Sequence, residues 1–228
     1  MNTIKLMKKL NNLSVFRVQD AERQCGCKRE YARLILHRLK EKKLIKRITR
    51  NSYTTKDNIS VIASNIYYPC YISFWSASYF LGYTEQIVNT IQVATTGTKK
   101  QINFENYKIK FIPINDFFGY KKIRTKEGNI FMVEDEKLLI DVFLRPKECG
   151  NFDEIKKIYE NAEVSEKKII EYLKRINKQS IIKRVGCLLE KTRGLDLSSK
   201  FELDRNYVIL NQFSKKWKKT SSKWKVKI

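Results

Sequence analysis

The chain has 228 residues, 42% of them hydrophobic and 12% aromatic, enough to bury a core and long enough for two domains. Lys and Arg number 47 against 24 Asp and Glu, a formal net charge of +23 that points to a polyanionic partner. No run of about 18 apolar residues occurs, which excludes a hydropathic membrane span, and the opening Met-Asn-Thr-Ile-Lys lacks the apolar core of a secretory signal; a cytoplasmic protein with no membrane partner is expected.

The first elements are helical. Ile4, Met7, Leu10 and Leu13 give an apolar face to a helix over roughly Ile4 to Leu13. A short helix follows at Phe16–Ala21, then a turn at Cys25-Gly26-Cys27, where glycine can take the left-handed backbone. From Lys28 to Glu41 a basic amphipathic helix is predicted. Ala32, Ile35, Leu36 and Leu39 recur at i, i+3, i+4 and i+7 as one apolar stripe, with Cys27 at the N-cap position and Glu30 three residues on. Leu44 to Thr55 alternates as two short strands, with Asn51–Ser52 as the turn between Ile48 and Tyr53. Helix, turn, longer helix and basic hairpin are the ordered parts of a winged helix-turn-helix, whose second helix enters the DNA major groove.

Charge follows the same boundary. Residues 1–56 carry 16 Lys and Arg against four Asp and Glu, while residues 57–145 carry ten against nine. Residues 146–199 carry 12 against nine, and residues 200–228 nine against two. Over half of the excess therefore lies in the first quarter, where a duplex-DNA surface is expected. The candidate DNA-reading residues are Lys28, Arg29, Tyr31, Arg33 and His37 on the second helix. Lys46, Arg47, Arg50, Asn51 and Ser52 on the hairpin would hold phosphate or the minor groove.

Further along, Asp57 to Ala63 reads as a linker, placing domains at 1–58 and 60–228. Ser73 starts an aromatic helix that closes at Gly82, a C-cap glycine. Its aromatics, at helical spacing and near-neutral local charge, read as core rather than as a base-stacking platform. Three β-like runs follow: Ile91 to Thr96, Lys108 to Pro113 and Gly128 to Val133. A helix then starts at Asp135 as N-cap and buries Leu138, Leu139, Val142 and Phe143. Helices at Asn151–Tyr159, Ser165–Ile176 and Ile181–Lys191 and a strand at Tyr207–Leu210 complete a mixed α+β C-terminal part. The tail, 214–228, alternates lysines with Trp217 and Trp224. An exposed Trp is an aggregation liability, so at least one is expected to dock.

Chemistry has few local signals. Cys25, Cys27, Cys70, Cys149 and Cys187 are odd in number and scattered, as suits reduced thiols. Cys25-x-Cys27 has no second Cys/His pair at finger spacing, and His37 is the only histidine, so no metal and no cofactor is expected. Asp116, Glu134, Glu136 and Lys137 loosely match the acidic-plus-Lys set of a metal-dependent nuclease. The stronger reading is structural: Asp135 and Glu136 sit where acids suit a helix N-terminus, and Lys137 reads as exposed. An RNA-binding protein is the other alternative that the charge allows.

Four blocks in order carry a family resemblance over about 180 residues. They are Arg47-x-x-Arg50-Asn51-x-Tyr53, Tyr71-x-Ser73-x-x-Ser76-Ala77 closing at Leu81-Gly82, Val133-Glu-Asp-Glu-Lys-Leu-Leu-Ile-Asp-Val-Phe-Leu-Arg-Pro146 with Cys149-Gly150 behind it, and Lys183-Arg-Val-Gly-Cys-Leu-Leu-Glu190. In these the chain resembles the AbiEi-type antitoxins and transcriptional regulators of abortive-infection (type IV toxin–antitoxin) systems. It departs in having Asp-Glu-Lys where that family usually has Asp-Pro-Glu-Lys, and Pro at the first helical turn is helpful rather than required. The resemblance implies a non-enzymatic repressor that binds inverted repeats in its own promoter. It further implies a C-terminal domain that counters a nucleotidyltransferase-like toxin, directly or indirectly.

Overall fold

The computed structural model describes residues 3–86 and 88–228. The fold is mixed α+β. Its elements run α1 (Thr3–Asn11), β1 (Phe16–Arg17), α2 (Val18–Cys25), α3 (Arg29–Glu41), β2 (Lys46–Thr49), β3 (Ser52–Thr54), α4 (Ile59–Ala63), β4 (Cys70–Ile72), α5 (Phe74–Phe80), β5 (Thr90–Thr95), β6 (Ile102–Phe104) and β7 (Tyr107–Pro113). They continue β8 (Tyr120–Arg124), β9 (Asn129–Val133), α6 (Asp135–Leu144), α7 (Phe152–Asn161), α8 (Glu166–Ile176), α9 (Gln179–Arg193), β10 (Val208–Ile209), β11 (Thr220–Ser221) and β12 (Val226–Lys227). Among the described residues no helix is long and apolar enough to cross a membrane.

Two compact units emerge, neither of them one stretch of chain. The first takes the chain up to Ile72 with Asn89–Asn115 and Lys121–Met132; the second takes Ser73–Val88, Asp116–Tyr120 and Val133–Ile228. In the first, β1, β3 and β2 form a small antiparallel sheet in that order, with Phe16 opposite Tyr53 and Arg47 opposite Tyr53 on its other side. A self-contained core joins Leu6, Leu10, Phe16, Val18, Ala21, Ala32, Leu36, Leu39, Ile45 and Tyr53. The larger sheet has order β6-β7-β5-β4-β9-β8. Its parallel β5–β7 pair runs from Thr90 opposite Lys108 to Thr95 opposite Pro113.

The apolar stripe of α3 is as expected, with Ala32, Leu36 and Leu39 buried and Ile35 packed beside them. Several local expectations need correction. The α3 N-cap is Lys28, not Cys27, and no side chain caps it. The buried face of α1 is Leu6 and Leu10, while Ile4 is 65% exposed. Residues 59–63 are not a linker but helix α4. Asn58 Oδ1 caps it by accepting from the Ser60 and Val61 N–H groups at 2.9 and 3.3 Å.

In the second unit, α6 is buried on nearly every side, and its N-cap is Glu134 rather than Asp135. Lys137 is fully buried, against the expectation of exposure. Its ammonium donates to Asp141, one turn on and also fully buried, and lies 5.1 Å from the Phe118 ring centroid. Ser73 Oγ donates to the other Asp141 oxygen at 2.8 Å. A Lys at i and an Asp at i+4 share one helix face. Here that face is interior, so each charge needs the other.

Gly186 lies within α9, where a Cβ would stand 2.1 Å from Cη2 of Trp224. Trp224 is 1% exposed, and its Nε1 donates to Glu190. The tail thus docks through Trp224, and Trp217 remains 46% exposed.

Candidate nucleic-acid interface

The candidate surface is built on α3 and the β2–β3 hairpin. Phe16 stacks on Tyr53, with ring centroids 6.2 Å apart, and so packs β1 against β3 beside the helices. At the turn before α3, Gly26 sits at φ 62°, ψ 36°, a backbone that most side chains resist, and its N–H reaches the Glu22 carbonyl at 2.9 Å. Arg17 N–H donates to Asp20 at 2.7 Å and closes the first turn of α2. The outward side of α3 is thereby fixed by its own buried stripe.

Lys28, Arg29, Tyr31, Arg33 and His37 are all exposed, but they do not form one strip. At about 100° per residue, Arg29, Arg33 and His37 fall on one flank of α3 and Tyr31 on the other, with Glu30 and Leu34 on the ridge between. Tyr31 lines a 320 Å³ cavity with Thr3 and Leu6 of α1, Cys25, Cys27 and Arg38. Lys28, Arg29, Arg33 and Arg50 join none of the ion pairs found among the described residues. Four guanidinium or ammonium groups are therefore held outward with their charge uncompensated.

The hairpin is more varied than expected. Arg50 and Asn51 form its exposed turn. Ser52 lies one residue further, inside β3 and 7% exposed, because it pairs with Arg17 of β1 on one side and Thr49 of β2 on the other. Ser52 therefore does not belong to the exposed tip. Arg47 Nε donates to the Thr49 carbonyl at 3.0 Å, and its Nη2 reaches the Arg50 carbonyl at 3.4 Å, so this side chain braces the turn. Lys46 is engaged by two carboxylates, Asp57 at 2.5 Å and Glu105 at 2.9 Å. Those carboxylates push the Lys46 pKa above its usual range. A phosphate would have to displace them.

One basic element of the first unit escaped the sequence reading. Lys121, Lys122 and Arg124 on edge strand β8, with Lys126 in the turn after it, are exposed. The signal was there in the run Lys-Lys-x-Arg-x-Lys. Charged side chains also protect a sheet edge, and that ordinary use is how such a run first reads.

The acidic set of the nuclease alternative is not assembled as a metal cradle. Asp116 pairs with Lys178 at 2.6 Å, and Glu134 pairs with Lys168 at 3.0 Å and accepts from Tyr172. Glu136 accepts the Ser165 N–H at 2.9 Å. Among the described residues no group of three or more His, Cys, Asp or Glu side chains could hold a metal ion. Burial raises the thiols of Cys70 and Cys187 to about 12 and about 11, so both are protonated at neutral pH.

No protein-family model matches the chain, and no curated protein sequence matches it.

Proposed function

We propose that the chain is a sequence-specific repressor that binds duplex DNA through a winged helix-turn-helix formed by α1, β1, α2, α3 and the β2–β3 hairpin. The observation that carries this reading is the set of uncompensated cations held outward by α3 and the hairpin turn, Arg29, Arg33 and Arg50 above all. Two further points support it. The sheet order β1-β3-β2 with the helix pair before the hairpin is the arrangement such a unit needs. The charge excess of residues 1–56 supplies the phosphate attraction. In this reading Arg29, Arg33 and His37 read bases, and Arg50 and Asn51 hold the backbone. Lys28 stands at the helix start, Tyr31 supports the other flank, and Arg47 fixes the hairpin. The target is an inverted repeat in the chain's own promoter, and residues 60–228 serve as the antitoxin part against a nucleotidyltransferase-like toxin, as the resemblance to AbiEi-type proteins implies.

The test is a mobility shift with the DNA upstream of the chain's own reading frame. Arg29→Ala with Arg33→Ala should cost about 1–3 kcal/mol per base contact and relax sequence preference, while Arg50→Ala weakens all sequences alike and lowers the salt slope. Undiminished, equally selective binding by the Arg29/Arg33 double variant would refute the assignment. Co-expression with a toxin encoded alongside tests the second half: residues 60–228 should be needed for rescue.

A further inference from the structure

The small sheet of β10, β12 and β11 has two unlike faces. One is turned inward: Leu210, Trp224 and Val226 are buried, and Arg184 of α9 donates to the Ile209 carbonyl at 2.8 Å. The other carries aromatic rings and lysines together. Lys227 Nζ sits 4.3 Å from the Trp217 ring centroid, and Lys225 Nζ sits 5.7 Å from that of Tyr207. Trp217 is 46% and Tyr207 43% exposed. Lys223 is held by Glu190 and Asp196, both at 2.6 Å. By contrast, Lys215, Lys216, Lys218, Lys219, Lys225 and Lys227 join none of the ion pairs found among the described residues.

We propose that this outer face is a binding platform for single-stranded nucleic acid, separate from the α3 surface. Nine Lys and Arg against two Asp and Glu over residues 200–228 call for a polyanion. The rings decide which kind. A duplex offers phosphates but keeps its base faces stacked inside, so exposed Trp217 and Tyr207 gain nothing from it. A single strand offers both, with bases to stack on the rings and phosphates to meet the lysines around them. The lysine over each ring orients it by cation–π attraction and keeps a cation beside it to meet a phosphate. Trp224 and Gly186 anchor the platform to α9, so the rings are presented on a fixed support rather than on a loose tail.

The experiment uses the full chain and fluorescein-labelled oligouridylate and oligothymidylate of about 15 nucleotides, with a duplex of equal length as comparison. Anisotropy gives affinity, and tryptophan emission reports stacking. Both single strands should quench Trp217, and the RNA-to-DNA ratio identifies the preferred sugar. Trp217→Ala with Tyr207→Ala should weaken single-strand binding about thirtyfold or more and leave duplex binding unchanged. Lys218→Glu with Lys219→Glu, both at exposed positions, should weaken it as well and flatten its salt dependence. The Arg29→Ala, Arg33→Ala variant should bind single strands as the parent does. The proposal is overturned if the aromatic variant keeps parental single-strand affinity. It is equally overturned if oligoglutamate displaces the strand as well as unlabelled oligouridylate does, since the face would then recognise acidic charge alone.

Discussion

Replacing Gly186 by alanine should eject Trp224 from α9. The added methyl would lie 2.1 and 2.2 Å from Cη2 and Cζ3 of the indole, closer than any relaxed contact. Both atoms belong to a ring that is 1% exposed and cannot slide far. Two terms compete. Alanine in a helix interior is favoured over glycine by about 1 kcal/mol. Losing a buried indole of about 150–250 Å² costs about 4–6 kcal/mol by area as an upper bound, and truncations of such residues run at about 3–5 kcal/mol. The second term wins, so the protein should lose about 2–4 kcal/mol net, the small gain within α9 included. Emission should shift red as Trp224 meets water, and limited proteolysis should cut within residues 211–228. Trp224→Ala gives the same loss by a different route. When Gly186→Ala and Trp224→Ala are combined, the added methyl enters the space the indole has left, so the joint cost should fall well below the sum. Unchanged emission and an intact, protease-resistant tail in Gly186→Ala would refute the packing argument.

Three further outcomes follow from the second unit and the cysteines. Lys137→Met leaves Asp141 buried without its cation and should destabilise by about 3–5 kcal/mol in urea unfolding, whereas Lys137→Met with Asp141→Leu should recover most of that loss. Ellman's reagent should reach the half-buried Cys25 and Cys27 in the native protein, Cys25 the more slowly because burial and neighbouring Cys27 raise its thiol, and the buried Cys70, Cys149 and Cys187 only on unfolding. Lys223 holds the Asp196 carboxyl at about 2, below its ordinary 3.8. A depressed carboxyl stabilises above its unfolded pKa, so the melting-temperature gap between parent and Asp196→Asn should be full above pH 4 and close as pH falls toward 2.

Periodicity made the longer helices legible, though not the five-residue α4. The stripe Ala32-Leu36-Leu39 and the run Leu138-Leu139-Val142 each announce a face that must be buried, whatever it packs against. What stayed hidden was decided by partners far along the chain. Lys137 reads as a surface lysine because its nearest neighbours in sequence cannot reveal Ser73 or Phe118. Strands β4, β6 and β8 are three to five residues long, too short for a period to stand out, so pairing defines them. Ser52 reads as a turn residue beside Asn51, but the register of β1 on β3 draws it inside. Lys46 reads as a free cation because Glu105, its second carboxylate, arrives about sixty residues later in the chain. That at least one of Trp217 and Trp224 docks is expected on general grounds, whereas which one, and its socket at Gly186, is a property of three-dimensional neighbours alone.

The interleaving of the two units bears on the order of events during synthesis. Every member of the first small core lies between Leu6 and Tyr53, so that core can close soon after those residues leave the ribosome. The larger sheet must wait. Strand β4 takes its parallel neighbour β9 from residues near 132, with Ile72 opposite Met132. Until about sixty more residues have been made, one edge of β4 has no partner, and an unpaired apolar edge is where nascent chains mispair. Nascent chains stalled between residues 73 and 128 should therefore be the ones most prone to aggregate or to recruit a chaperone.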